Sequence, residues 1–249
     1  MRRLLDLTES RRTAQSDRLL GALLAFTAGA VNAGGFLVVA SYTSHMTGFV
    51  STMADNLVLG EFQIVMVAGG AVLAFTAGAV VTTLLVNWAR RRSLRSSYAL
   101  PLLLEALLLM LFGAIGATLN QDMAWTSSIT LLLLAFLMGL QNAVITKVSS
   151  AQVRTTHMTG IITDIGIELG KLLYWNRDPG PLHPPVVANG AKLRLLGLLL
   201  GMFLIGGIAG AAGFKSLGFM SVIPLALCLL ALCLPPIIGD LSARPWPRS

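Results

Sequence analysis

His45-Met46-Thr47-Gly48 recurs as His157-Met158-Thr159-Gly160, and that recurrence decides how the rest of the chain is read. Each copy follows an apolar stretch bearing the same triplet at the same spacing: Phe26, Gly29 and Asn32 before the first, Phe136, Gly139 and Asn142 before the second. Downstream, Ser51-Thr52 matches Thr163-Asp164 and Leu59-Gly60 matches Leu169-Gly170. Further on, Phe75 and Gly78 match Phe203 and Gly206, and Pro101 matches Pro224. Four identical residues including a histidine, with flanking matches on both sides, identify an internal duplication.

The duplicated unit is built for hydrocarbon. Of 249 residues, 55% are hydrophobic and only 12% charged, against about 25% charged in a typical soluble domain. A bilayer core about 30 Å thick needs around 20 apolar residues in helical form. Six such runs stand out: Leu19 to Ala40, Phe62 to Ala89, Ser96 to Gln121, Met123 to Thr146, Leu195 to Phe214 and Ser216 to Gly239. None alternates with the period of two that a membrane barrel requires. The expectation is an all-α integral membrane protein of six transmembrane helices. Residues 1–18 form a cytoplasmic segment, 19–121 the first three-helix repeat, 122–239 the second, and 240–249 a cytoplasmic tail. A proline-rich connector lies at about 176–190. Three is odd, so the second repeat enters the membrane from the opposite side and the halves are inverted.

Charge fixes the expected orientation, because Lys and Arg accumulate in cytoplasmic loops. With both termini inside, every basic residue except Lys215 falls on the cytoplasmic face. The net charge of +7 is spread in short runs between apolar segments and does not form a nucleic-acid face. The run after Arg11-Arg12 is too long for a signal-peptide core and has no small-residue cleavage site, so it reads as a retained first span. Cys228 and Cys233, both within an apolar run, read as core residues.

The candidate site is the repeated motif. The stretches Phe49 to Gly60 and Ile161 to Gly170 are too polar for lipid and too apolar for a solvated loop. They suit broken or re-entrant helices after the first and fourth spans, with Thr-Gly where the chain turns. Beside such a break a histidine either caps a helix end or hydrogen-bonds its neighbour at the interface, or it handles a proton or substrate. Asn32 and Asn142, deep in their helices, need partners or a cavity. Asp164 and Glu168 share a helix face. Glu105, about one turn past Pro101, falls near the cytoplasmic end of its span, and its repeat equivalent is Cys228. The pairs Gly197/Gly201 and Gly206/Gly210 read as helix-packing surfaces. The candidates are therefore His45, Met46, Thr47, Gly48, His157, Met158, Thr159, Gly160, Asn32, Asn142, Thr163 and Asp164. No catalytic set, metal-ligand spacing or cofactor loop is recognisable.

These residues resemble the YoaK family, small bacterial multi-pass membrane proteins classed as a domain of unknown function. The likeness runs from about Leu20 to Leu234. It rests on Gly29-x-x-Asn32 with His45 to Gly48, and on Gly139-Leu140-Gln141-Asn142-Ala143 with Arg154 to Gly160. It implies a membrane location and no established activity. Architecture then favours a transporter of a small solute or ion, with inverted repeats around a midplane site. A non-transporting scaffold or regulator is the alternative, and an intramembrane enzyme is the weakest reading, since one active site gives no reason to keep a polar motif in both halves. The partners expected are the lipid bilayer and an unidentified solute or ion, not nucleic acid. The sequence sets no oligomeric state.

Overall fold

The structure, a computed structural model, describes residues 14–118, 124–148, 156–176 and 185–243. These form eight α-helices and one short 3-10 turn, with no strand among them. In chain order the helices are α1 (Ala14–Val39), α2 (Met46–Leu59), α3 (Phe62–Arg91), α4 (Ala99–Thr118), α5 (Ala124–Val148), α6 (Met158–Leu173), α7 (Gly190–Leu217) and α8 (Val222–Ala243). The connector prolines and His183 lie largely outside the described residues, as do most of the basic residues of both ends of the chain.

Four stretches are long and apolar enough to cross a membrane: Ser16–Val39, Phe62–Arg91, Ser127–Val148 and Gly190–Ser242. The last, at 53 residues, would be about 80 Å long as one helix. It is broken at Gly218, whose φ of 57° and ψ of −138° belong to a region that side-chain-bearing residues avoid. The chain turns there between α7 and α8. Phe112 of α4, Phe214 of α7 and Phe219 of the turn hold that corner, with ring centroids 5.3 to 6.5 Å apart. Helix α4 is apolar over the shorter stretch Ala99–Ala114. Pro101 and Pro224 each stand third in their helices, where the missing N–H has no intrahelical acceptor to leave unpaired.

Two crossings organise the packing. At one, α1 meets α7: a Cβ on Gly29 would lie 2.1 Å from the Phe203 carbonyl oxygen, and one on Gly206 would lie 2.0 Å from that of Phe26. At the other, α3 meets α5: a Cβ on Gly78 would lie 2.1 Å from the Phe136 carbonyl oxygen, and one on Gly139 would lie 1.9 Å from that of Phe75. Phe26, Gly29, Phe75 and Gly78 are the repeat equivalents of Phe136, Gly139, Phe203 and Gly206. One crossing is thus made twice, each time joining a helix of one repeat to a helix of the other. Only hydrogen at Cα lets the backbones come so close.

Of the glycine pairs, Gly206 and Gly210 do pack a helix, whereas Gly197 and Gly201 face open space. The expectation for the latter pair is corrected: spacing alone does not say which side of α7 meets α1. Helices α4 and α8 pack on each other beside these crossings, and the main core runs through α1, α4, α5, α7 and α8. Helix α3 turns most of its apolar surface outward, with 17% of its most apolar window buried. Such a surface demands hydrocarbon outside it.

Candidate functional site

Neither motif helix is long enough to cross a bilayer. Helix α2 has 14 residues and α6 has 16, about 21 and 24 Å. Helix α2 packs on α3, and α6 packs on α7. Short helices follow α1 and α5, and their geometry differs from the sequence reading in one respect. Thr47-Gly48 and Thr159-Gly160 do not form the turn; they lie in the first helical turn of α2 and α6. After α1 the turn comes earlier, through Ala40 at a φ of 52°. The motif begins a helix instead of ending one.

His45 and His157 occupy the N-cap position in nearly the same backbone conformation, with φ and ψ of −89° and 68° in the first and −81° and 58° in the second. Their carbonyls accept from the Phe49 and Ile161 amides at 3.2 and 3.0 Å. Neither imidazole caps its helix, and both are exposed. The capping reading of the side chains is therefore corrected: the backbone of each histidine starts the helix while the ring stays available. Met46 packs in a small cluster with Phe49, and Met158 against the main core, so the methionines anchor what the histidines leave open. The Thr47 and Thr159 side chains are exposed, and Thr163 Oγ1 donates to the Thr159 carbonyl at 2.9 Å.

The two asparagines fix this geometry. Asn32 Oδ1 accepts from the Ser44 amide at 3.2 Å and from its hydroxyl at 3.0 Å. Asn142 Oδ1 accepts from the Thr156 hydroxyl at 2.6 Å. In each half an intrahelical amide thus grips the residue just before the histidine. The hydroxyl preceding both copies, Ser44 and Thr156, was legible as Ser-His-Met-Thr-Gly beside Thr-His-Met-Thr-Gly, yet only the structure shows what it binds.

Asp164 and Glu168 do share a face, and they meet α7. Lys192 Nζ lies 3.3 Å from Asp164 and 3.9 Å from Glu168, while Lys171 Nζ donates to Glu168 at 3.0 Å. The Asn189 amide donates to Glu168 Oε2 at 2.7 Å. That backbone bond, followed by the Lys171 hydrogen bond, holds the Glu168 carboxyl below the ordinary value of 4.5. No three His, Cys, Asp or Glu side chains converge among the described residues.

Glu105 stands in the second turn of α4. Its side chain has no exposed surface and accepts at 3.0 Å from Gln141 Nε2, which is equally enclosed. Leucine and alanine neighbours close around it because α4 faces both α5 and α8.

The family model described as "Protein of unknown function (DUF1275)" matches residues 20–234. The chain belongs to the DUF1275 family. It is also similar to the UPF0700 transmembrane protein YoaK of Bacillus subtilis (strain 168), 28% identical over 160 residues, which cover 63% of this chain and 68% of that protein. No solved structure matches the chain. The resemblance drawn from the repeated motif is thereby shown, and the chain is a membrane protein of this family. The DUF1275 match spans both tetrapeptides, both asparagines and all four crossing glycines.

Proposed function

We propose that this protein carries a small solute or ion across the bacterial cytoplasmic membrane, using two inverted three-helix repeats with six spans and both termini cytoplasmic. The observation that supports it most is the recurrence, once per repeat, of an exposed histidine at the start of a short helix, fixed by an asparagine of the preceding span. In an inverted arrangement one such opening lies toward each face of the bilayer. The reciprocal crossings add to this, because a movement at one crossing has an equivalent at the other.

The test is a transport screen in reconstituted vesicles, with and without a pH gradient. His45→Ala and His157→Ala are each expected to lower flux about tenfold or more, the scale on which a positioned acid–base or binding group acts, with insertion intact. Unchanged flux in both variants overturns the motif as the site. Orientation is checked separately: in a variant lacking Cys228 and Cys233, Lys215→Cys is expected to react with an impermeant maleimide from outside only.

A further inference from the structure

Among the described residues three buried side-chain polar atoms lack a partner: Thr43 Oγ1, Glu105 Oε2 and Gln141 Oε1. Two of the three belong to a single contact. Gln141 Nε2 already donates to Glu105 Oε1 at 3.0 Å, which leaves the second carboxyl oxygen and the amide oxygen as two acceptors with no donor. An ionised carboxylate would be charged and half-satisfied with no exposure to solvent, on helices whose residues Leu102, Ala106, Leu109 and Met138 belong to the main apolar core. A carboxylic acid and a primary amide have complementary edges: the amide N–H donates to one carboxyl oxygen, and the acid O–H donates to the amide oxygen. The unpartnered atoms are those that one added proton would pair.

We propose that Glu105 and Gln141 form an intramembrane proton-binding site, in which Glu105 Oε2 takes up one proton and donates it to Gln141 Oε1. Uptake converts the carboxylate to the neutral acid, and release returns the charge. The site has too few oxygens to enclose a metal cation, which takes about six. The groups presented by neighbouring elements leave the proton without a rival. From α8 comes the buried Cys233, in electrostatic reach of Glu105, its thiol donating to the Leu230 carbonyl. Cys228 and Asp240 stand elsewhere on α8, and Asp240 is taken up by the Arg95 and Ser96 amides. From α3, Arg90 donates to the Tyr98 hydroxyl at the start of α4, and from α5, Lys147 lies about two turns beyond Gln141.

The pair is not an architectural feature of the repeat. Its equivalents in the other half are Cys228 and Val31, which offer no acid–amide pairing. Yet it sits on the segment that organises the second motif: the Leu140 carbonyl accepts from Thr82 Oγ1, and Asn142 grips Thr156 before His157. Gln141, which would accept the proton's hydrogen bond, is therefore within one residue of both contacts.

Infrared spectroscopy of the purified, lipid-reconstituted protein tests this without any transported solute, so its failure is separable from that of the transport reading. A carboxylic-acid C=O band is expected that shifts in D2O, is lost as the pH is raised, and is missing in Glu105→Gln. Gln141→Leu should move the band by removing its hydrogen-bond partner. Glu105→Asp, which keeps an acid, serves if the amide variant misfolds. Absence of a Glu105-dependent band, or a band that does not titrate, overturns the proposal. So does a titration that follows added sodium against choline at fixed pH.

Discussion

The crossing of α1 with α7 and that of α3 with α5 are built on equivalent residues, yet they are closed differently at one point. Where Gly210 lies directly on Ala30, its Cβ position 2.4 Å from that carbonyl oxygen, the equivalent Thr82 reaches the equivalent Leu140 carbonyl with a hydroxyl at 3.0 Å. The same carbonyl is covered by close approach in one half and by a hydrogen bond in the other. The four glycines that set the distance between backbones are common to both crossings. One turn away the two interfaces are closed by different means.

The largest effect is expected at the shared glycines. Gly139→Ala and Gly206→Ala place a methyl within about 2 Å of a backbone carbonyl, where no flexible side chain can give way. Each should cost about 1–3 kcal/mol or more, seen as a lowered thermal midpoint or loss of monodisperse protein. Gly197→Ala and Gly201→Ala, facing open space, should be neutral. If Gly139→Ala and Gly206→Ala differ widely in cost, the two crossings are not equivalent. At the point of divergence, Gly210→Thr should be strongly destabilising, whereas Thr82→Ala loses one buried hydrogen bond, about 1 kcal/mol. The sequence repeat alone would forecast equal tolerance at these two positions.

The asparagine clamps come next. Asn32→Ala frees two donors of Ser44 and Asn142→Ala one of Thr156, so the first should loosen its motif more. The expected cost is about 1–3 kcal/mol for a partly buried group left unpaired. Amide hydrogen exchange at the starts of α2 and α6 reads it locally. Equal protection in both variants would show that the two histidines are held by something other than the asparagines.

Much of this architecture was legible because the repeat aligned residues whose roles are backbone roles. Gly29, Gly78, Gly139 and Gly206 were visible as matched glycines, and their matching phenylalanines marked the carbonyls they would meet. Asn32 and Asn142 were visible as costly amides in need of partners. The position of the turn was not legible, since Thr-Gly suits a bend as well as a helical first turn, and Ala40 at positive φ bears no sequence mark. The enclosure of Glu105 was not legible, because position along a span says nothing of which side of the helix is covered. Gln141 was missed because its neighbours Gly139 and Asn142 belonged to the repeat and it did not.

The smallest effect separates the motif helices themselves. Helix α2 ends on Gly60 at a φ of 78° and carries no ion pair to α3 among the described residues, while α6 is tied to α7 through Lys192, which reaches Asp164 and Glu168, and through the Asn189 amide on Glu168. Folding lowers the Glu168 carboxyl below its ordinary 4.5. A depressed carboxylate binds fewer protons folded than unfolded, so its stabilising effect is fully present above 4.5 and is lost as pH falls through the lower folded value. Glu168→Gln should therefore lower the thermal midpoint modestly at neutral pH, and the gap to the parent protein should close on acidification below 4.5. A Glu168→Gln deficit that persists unchanged at acidic pH would mean that shape, not charge, joins α6 to α7, and the two motif helices would then differ less than their ion pairs imply.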